Sequence, residues 1–229
     1  KGSAAAVTTN TVQRTVGAVI YQGLYHSLGW WGDLLARSVD VAEGTVGTTL
    51  WSAKDQLKDT YWGDRNVFTS NGSAGIDFDA SNAGAIGLTA AQIEYLLGDH
   101  SNEGPDGFRV REYKLGDIIH SEPYYYEGVL YVGANDGMMH AFDAETGEEL
   151  FAYVPSHVHG HLDQLTLQSY EHLYYVDATP HVASFTGTPT YLAGGLGKGG
   201  RGVYCLDVTD AKNEPTASDV FNWEFSEAD

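Results

Sequence analysis

Apolar residues along this chain fall in short runs, four to eleven residues long, and turn signals separate the runs. Between residues 120 and 155 the pattern predicts four strands: Pro123–Tyr126, Val129–Gly133, Met138–Asp143 and Glu149–Val154. Asn135-Asp136-Gly137 and Glu145-Thr146-Gly147 separate them. Glycine accepts positive φ there, and Asn or Asp bonds its own backbone. A second set follows at His181–Phe185, Thr190–Gly194, Gly202–Val208 and Val220–Phe225. The two sets are copies. Tyr131-Val132-Gly133 answers Tyr191-Leu192-Ala193, and Ala141-Phe142-Asp143 answers Cys205-Leu206-Asp207, with the aspartates 64 residues apart. A weaker third unit has strands at Val16–His26, Trp31–Val39 and Thr48–Trp51.

Four-stranded units repeating at this scale predict an all-β protein with β-propeller blades. Three units in 229 residues fall short of a ring of about four to eight blades, so a partial ring or fragment is expected. The predicted blades cover residues 16–53, 118–155 and 174–226, with a loop or short helix over 156–173. Residues 54–117 form a partly helical insertion. Within it, Thr89 and Gln92 make a capping-box pattern ahead of a helix over Ala90–Leu97, and Gly98 is its stop signal. A second helix is expected from Leu162 to Ser169.

Charge narrows the choice of partner. The net charge is −19, which excludes a nucleic-acid binder with a basic footprint. Residues 1–115 carry a net −4, and residues 116–229 carry −15 with only Lys198, Arg201 and Lys212 as cations. No Lys or Arg lies between Gly116 and Gly197. Such a half repels anionic membranes and attracts cations. Cys205 is the single cysteine, which excludes an intrachain disulfide and a cysteine-based zinc cluster. No apolar run approaches a membrane span. The start at Lys1 and the stop at Asp229 suggest a piece of a longer protein.

Three segments carry candidate chemistry. Asp77-Phe78-Asp79-Ala80-Ser81 starts like a calcium loop, but Asn82 stands where the turn glycine belongs and Leu88 where the bidentate Glu belongs. His157, His159 and His161 alternate; in an extended segment their imidazoles share a face and could converge on zinc, nickel or copper. A solvated loop is the competing reading. Gly194–Gly202 matches part of a dinucleotide fingerprint, yet a strand pattern follows where the phosphate site needs a helix. A wide glycine hairpin fits better, with Lys198 and Arg201 at its tip as a seat for an acidic partner.

Several of these segments carry a family resemblance. Leu115-Gly116-Asp117-Ile118-Ile119-His120-Ser121-Glu122-Pro123, then Tyr131–Asp143, Tyr175-Val176-Asp177, Gly194–Gly202 and Trp223-Glu224-Phe225, resemble the C-terminal propeller of the PilY-type family. Trp31-Gly32-Asp33-Leu34 and Leu50-Trp51-Ser52-Ala53 extend the likeness upstream. The resemblance implies a non-enzymatic type IV pilus biogenesis factor and tip adhesin, at the cell surface or outer membrane. It implies minor pilins or pilus tip components, and host or abiotic surfaces, as partners. The family's calcium loop has no acceptable copy here, so calcium is an expected cofactor without an assigned site, and a transition metal is expected only at His157, His159 and His161. The blade Tyr131–Tyr153 also resembles quinoprotein dehydrogenases, which use pyrroloquinoline quinone and calcium. The lone cysteine denies this chain their vicinal disulfide.

Overall fold

The computed structural model describes residues 5–9, 18–40 and 42–226. Val16, the predicted start of the first unit, lies outside them. Three antiparallel-dominated sheets account for the strands. The first is β1 (Ala5–Thr9), β2 (Ala18–His26), β3 (Trp31–Asp40) and β4 (Thr45–Ser52), paired in that order. Helix α1 (Ala53–Asp59) follows at once. Its N-cap, Ser52, accepts from Asp55 N–H and donates to the buried Asp33 carboxylate at 2.8 Å, which also accepts from Lys54 N–H at 3.1 Å. The cap satisfies helix donors that would otherwise lack partners.

The insertion is not separate from the sheets. Its strands β5 (Val67–Ser70) and β6 (Gly75–Asp77) join the middle sheet, which also holds β7 (Tyr124–Tyr126), β8 (Val129–Gly133), β9 (Met139–Asp143) and β10 (Glu149–Val154). The order is β6-β5-β10-β9-β8-β7. The predicted four strands are therefore extended to six. Strand β5 pairs parallel with β10, with Ala152 opposite Val67, and so covers an edge that would otherwise expose unpaired backbone. The insertion's helices are α2 (Ala83–Ile86) and α3 (Ala90–Leu97). Thr89 and Gln92 cap α3 reciprocally, and Gly98 ends it at φ 121°. The last sheet is β11 (His181–Ser184), β12 (Thr190–Gly195), β13 (Gly202–Asp207) and β14 (Phe221–Ser226), in sequence order. The one-turn helix α4 (Ala217–Val220) leads into β14. No helix among the described residues is long and apolar enough to cross a membrane.

The expected helix over Leu162–Ser169 is displaced. A 3₁₀ helix runs instead from Ser156 to Thr166, immediately after Pro155. It ends where Thr166 Oγ1 donates to Asp163 O at 2.7 Å.

Strand periodicity explains the core. Alternate side chains of a strand point to opposite faces. In β8 and β9, Leu130, Val132 and Phe142 pack toward Tyr21, Leu34, Ala36 and Trp51 of the first sheet. Val129, Tyr131, Met139 and Ala141 belong to the larger core shared with Val182, Leu192, Tyr204 and Leu206 of the last sheet. The middle sheet is thus apolar on both faces, which a sheet buried on both sides requires.

One charged network sits inside. The Arg65 guanidinium, brought by the insertion, makes a bidentate pair with Glu149 of β10 at 2.7 and 2.9 Å. Glu149 Oε1 also lies 2.7 Å from His140 Nδ1, and His140 Nε2 lies 3.2 Å from the Asp136 carboxylate. Arg65 and Glu149 side chains are 2% and 4% exposed. Burial alone would raise the Glu149 carboxyl, but Arg65 and His140 hold it at about 2. Burial alone would lower the His140 imidazole, but Asp136 and Glu149 lift it to about 9.

The sign of the pH dependence follows. Glu149 stabilises the fold above its ordinary value of 4.5, and this is lost as pH falls toward about 2. His140 stabilises fully below its ordinary 6.5, and this is lost as pH rises through about 9. Glu149→Gln leaves Arg65 buried without a counter-charge and is expected to cost about 3–5 kcal/mol in denaturant unfolding. Its stability should also vary less with pH on both limbs than that of the wild type; parallel pH profiles for the two proteins would reject this role.

Candidate functional site

Two irregular segments lace the three sheets together at one end. The first, residues 115–122, crosses from the first sheet to the middle one. Gly32 N–H donates to Leu115 O at 3.0 Å, Ile118 N–H to Leu24 O at 3.3 Å, and Asn135 N–H to Asp117 O at 3.0 Å. A Cβ on Gly32 would fall on Gly116 O, so only glycine permits this approach. Ser121 Oγ accepts from Gly133 N–H at 2.8 Å. The second segment, residues 172–179, crosses from the middle sheet to the last. Tyr175 N–H donates to Asn135 Oδ1 at 3.0 Å, and Asp177 N–H to Leu196 O at 3.1 Å.

The straps also bind each other through two carboxylate–imidazole pairs. Asp117 Oδ2 lies 2.8 Å from His172 Nε2 and accepts from Asn135 Nδ2 at 2.8 Å. Asp177 Oδ2 lies 2.7 Å from His120 Nδ1, and Asp177 Oδ1 accepts from His120 N–H at 3.3 Å. Burial raises the Asp177 carboxyl, against the pull of His120. Both aspartates are buried. Their partners are histidines of the same stretch, which holds no Lys or Arg.

The outer surface of the straps is a row of rings. Trp30 lies against His172 with centroids 3.9 Å apart. His172 meets Tyr174 edge-on at 4.9 Å, and Tyr174 lies 5.7 Å from His120. Lys198 Nζ closes the row, 4.9 Å from the Tyr174 ring and 3.4 Å from His120 Nε2. With Nδ1–H of His120 donated to Asp177, its Nε2 accepts from the Lys198 ammonium. His120 and Lys198 are exposed, and Trp30, His172 and Tyr174 are half-buried. Amphipathic rings flanked by a cation offer contact area with polar tips, the composition of a protein-binding surface. Trp30 has φ 51°, a strained value for a non-glycine residue.

Lys198 therefore belongs to this surface. Arg201 is exposed nearby in the same glycine loop. That loop joins β12 to β13 through a single 3₁₀ turn, Gly197–Gly199, and a strand follows it. A Cβ on Gly199 would fall on Tyr175 O. The glycines thus serve close packing against the second strap, and no helix N-terminus is present to receive a phosphate.

The three histidines are not brought together. They lie in the 3₁₀ helix, not in an extended segment, so alternate residues do not share a face. His157 Nε2 lies 3.2 Å from Phe225 O, with the ring over Gly202. His159 Nε2 lies 2.7 Å from Thr69 Oγ1, and burial pushes its imidazole down to about 4. His161 stacks on Tyr175 at 4.9 Å. Asp79 Oδ1 accepts from Ser81 N–H and Asn82 N–H as a helix cap, at 2.9 and 3.1 Å. Among the described residues no group of three His, Cys, Asp or Glu side chains is placed to hold a metal ion.

Comparison with known proteins decides kinship. A family model described as the PilY1 beta-propeller domain matches residues 124–228. A type IV pilus biogenesis factor PilY1 homolog of Xylella fastidiosa is 36% identical across 96% of this chain. The chain belongs to the PilY1 family. The PilY1 of Pseudomonas aeruginosa strain PAK is 34% identical across 80% of the chain. The chain spans about a fifth of these relatives' length, 21% in each case. The crystal structure of the Pseudomonas aeruginosa PilY1 C-terminal domain is 40% identical over 43% of this chain and 18% of that one, with a TM-score of 0.30. As a PilY1-family chain, the protein is mostly β with several sheets.

The pairs Asp117–His172 and Asp177–His120 were not foreseen from sequence as partners. The signal available was the run of buried-looking acids in a stretch without Lys or Arg. If Gly199 serves packing, Gly199→Ala will overpack the second strap and cost about 1–3 kcal/mol. Lys198→Ala beside it should stay within about 0.5 kcal/mol. Equal stability of the two variants in urea unfolding would reject the close-packing role.

Proposed function

We propose that this chain forms part of a pilus-associated β-propeller whose end face, from Trp30 to Lys198 and Arg201, holds a partner during type IV pilus biogenesis. The observation that carries this reading is the ring row itself. It is built on the same two straps that hold the sheets in register, so the surface is rigid without being enzymatic. Rigid scaffolds that display loops are suited to binding. The partners fitting such a face are minor pilins or other pilus tip components, with host or abiotic surfaces as further contacts. Retraction control, adhesion and a surface or pilus-tip location belong to this proposal.

The ring reading rests on how the sheets succeed one another. Each sheet lays one face on the next, and the last sheet leaves Val203, Trp223 and Phe225 of β13 and β14 at 44%, 46% and 54% exposure. Val203 and Phe225 are register partners, as are Cys205 and Trp223, so these side chains share one face. A further four-stranded blade of the same polypeptide is the occupant that repeats the existing geometry. Such an apolar patch otherwise invites aggregation. A quinoprotein-type enzyme is the less supported alternative, since the single cysteine denies this chain that family's vicinal disulfide.

Two outcomes are expected. In the full-length protein, Lys198→Glu with Arg201→Glu should weaken binding to purified pilus-tip components about 5–10-fold and reduce twitching, because each lost rim charge is worth about 0.5–1 kcal/mol. Unaltered binding and motility in the correctly folded double variant would count against the end face. Separately, Trp223→Ala in the full-length protein should cost about 3–5 kcal/mol if a further blade covers it; a cost below about 0.5 kcal/mol would mean the face stays open.

A further inference from the structure

The cations of this acidic chain are not spread evenly. Arg109, Arg111 and Lys114 line one small cavity behind Trp30, together with Tyr113 and Asp136. Its volume is about 20 Å³, room for a single water-sized group. Two of the charges nearby are already matched. Arg111 Nε pairs with Glu103 Oε1 at 3.0 Å, and its guanidinium lies over the Tyr95 ring at 3.5 Å. The Asp136 carboxylate is taken up by Gly116 N–H at 2.7 Å and by His140 at 3.2 Å.

Arg109 and Lys114 are different. Neither has a carboxylate within ion-pair distance among the described residues. Lys114 Nζ is directed to backbone carbonyls, Leu57 O at 2.8 Å and Thr60 O. The Arg109 guanidinium lies over Tyr170 at 4.2 Å, and its Nε is buried with no hydrogen-bond partner. A buried N–H of a permanently charged group that lacks an acceptor is costly. The cavity lining therefore carries an excess of positive charge and a residue with an unused donor, around space for one small acceptor.

We propose that this cavity binds one small monovalent anion of halide size, held by Arg109 with Arg111 and Lys114 around it. The anion supplies the missing acceptor and balances charge that has no carboxylate within ion-pair distance among the described residues. It sits behind Trp30, so occupancy supports the strained backbone at the start of the ring row. A water molecule would satisfy the donor but not the charge, and the volume is too small for a nucleotide or a sugar phosphate.

The test uses the full-length protein at constant ionic strength, with sodium bromide replacing bulky sodium isethionate. Wild-type protein should show a saturable rise in Tm of about 2–4 °C. Arg109→Gln should lose that rise, while Lys198→Gln on the exposed surface should keep it. The same response in all three proteins, or none in the wild type, would overturn the proposal in favour of a bound water. If Arg109→Gln does not fold, bromide-soaked wild-type crystals decide: anomalous density within hydrogen-bonding distance of Arg109 Nε supports the site. Bromide found elsewhere but not there overturns it.

Discussion

Glu149 lies where the insertion meets the middle sheet. Its carboxylate is gripped by Arg65 from the insertion and by His140 from the neighbouring strand, and His140 passes the contact on to Asp136. Asp136 in turn accepts from Gly116 N–H, at the start of the strap that holds the first sheet. A single chain of charged contacts thus joins the insertion, the middle sheet and the first strap. Burying four ionisable groups is unfavourable unless each is paired, and here each is. The pairing accepts few other geometries, so it also dictates where Arg65 and the rest of the insertion must sit. The insertion then has only one place to put its next residues, Val67–Ser70, which is alongside β10.

The acidic composition acquires a structural meaning from this. A region with no Lys or Arg over eighty residues has no permanent cation of its own to pair with its buried carboxylates. Histidine supplies three of the partners, at His120, His140 and His172, and Arg65 supplies one from outside the region. Exposed acids, by contrast, remain in water and give the outer surface its negative charge. Net charge alone hid this division, because buried and exposed carboxylates count equally in it.

Which parts of the fold were legible follows from the range of the interactions. Strands β8, β9 and β10 were visible because alternation and Asn-Asp-Gly or Thr-Gly turns are local signals. Helix α3 was visible because a capping box spans four residues. Strands β5 and β6 were missed: they have four and three residues, and the parallel pairing of β5 with β10 joins residues 85 apart. The 3₁₀ helix that holds the histidine run was not legible, because such a helix has little sequence signature of its own. Once the chain turns that way, His159 is directed to Thr69 and His161 to Tyr175. At the end face, Lys198 was singled out as a rare cation. Trp30, His172 and Tyr174 were not recognised as one surface, because only the two straps bring them together.

Packing and binding meet in those straps. Their inner sides need glycines, since backbone from one segment rests directly on backbone of the next at Gly32 and Gly199. Close backbone approach leaves little room for side chains at these contacts; Tyr175 fills the core, while His120, His172 and Tyr174 of the straps reach the surface. The aspartates then fix the imidazoles from behind, which removes most of the rotamer freedom a surface side chain loses on binding. The row from Trp30 to Lys198 is therefore pre-ordered by the contacts that assemble the fold. A partner docking there would order few protein side chains, and the proposed face could not be loosened without also loosening the sheets beneath it.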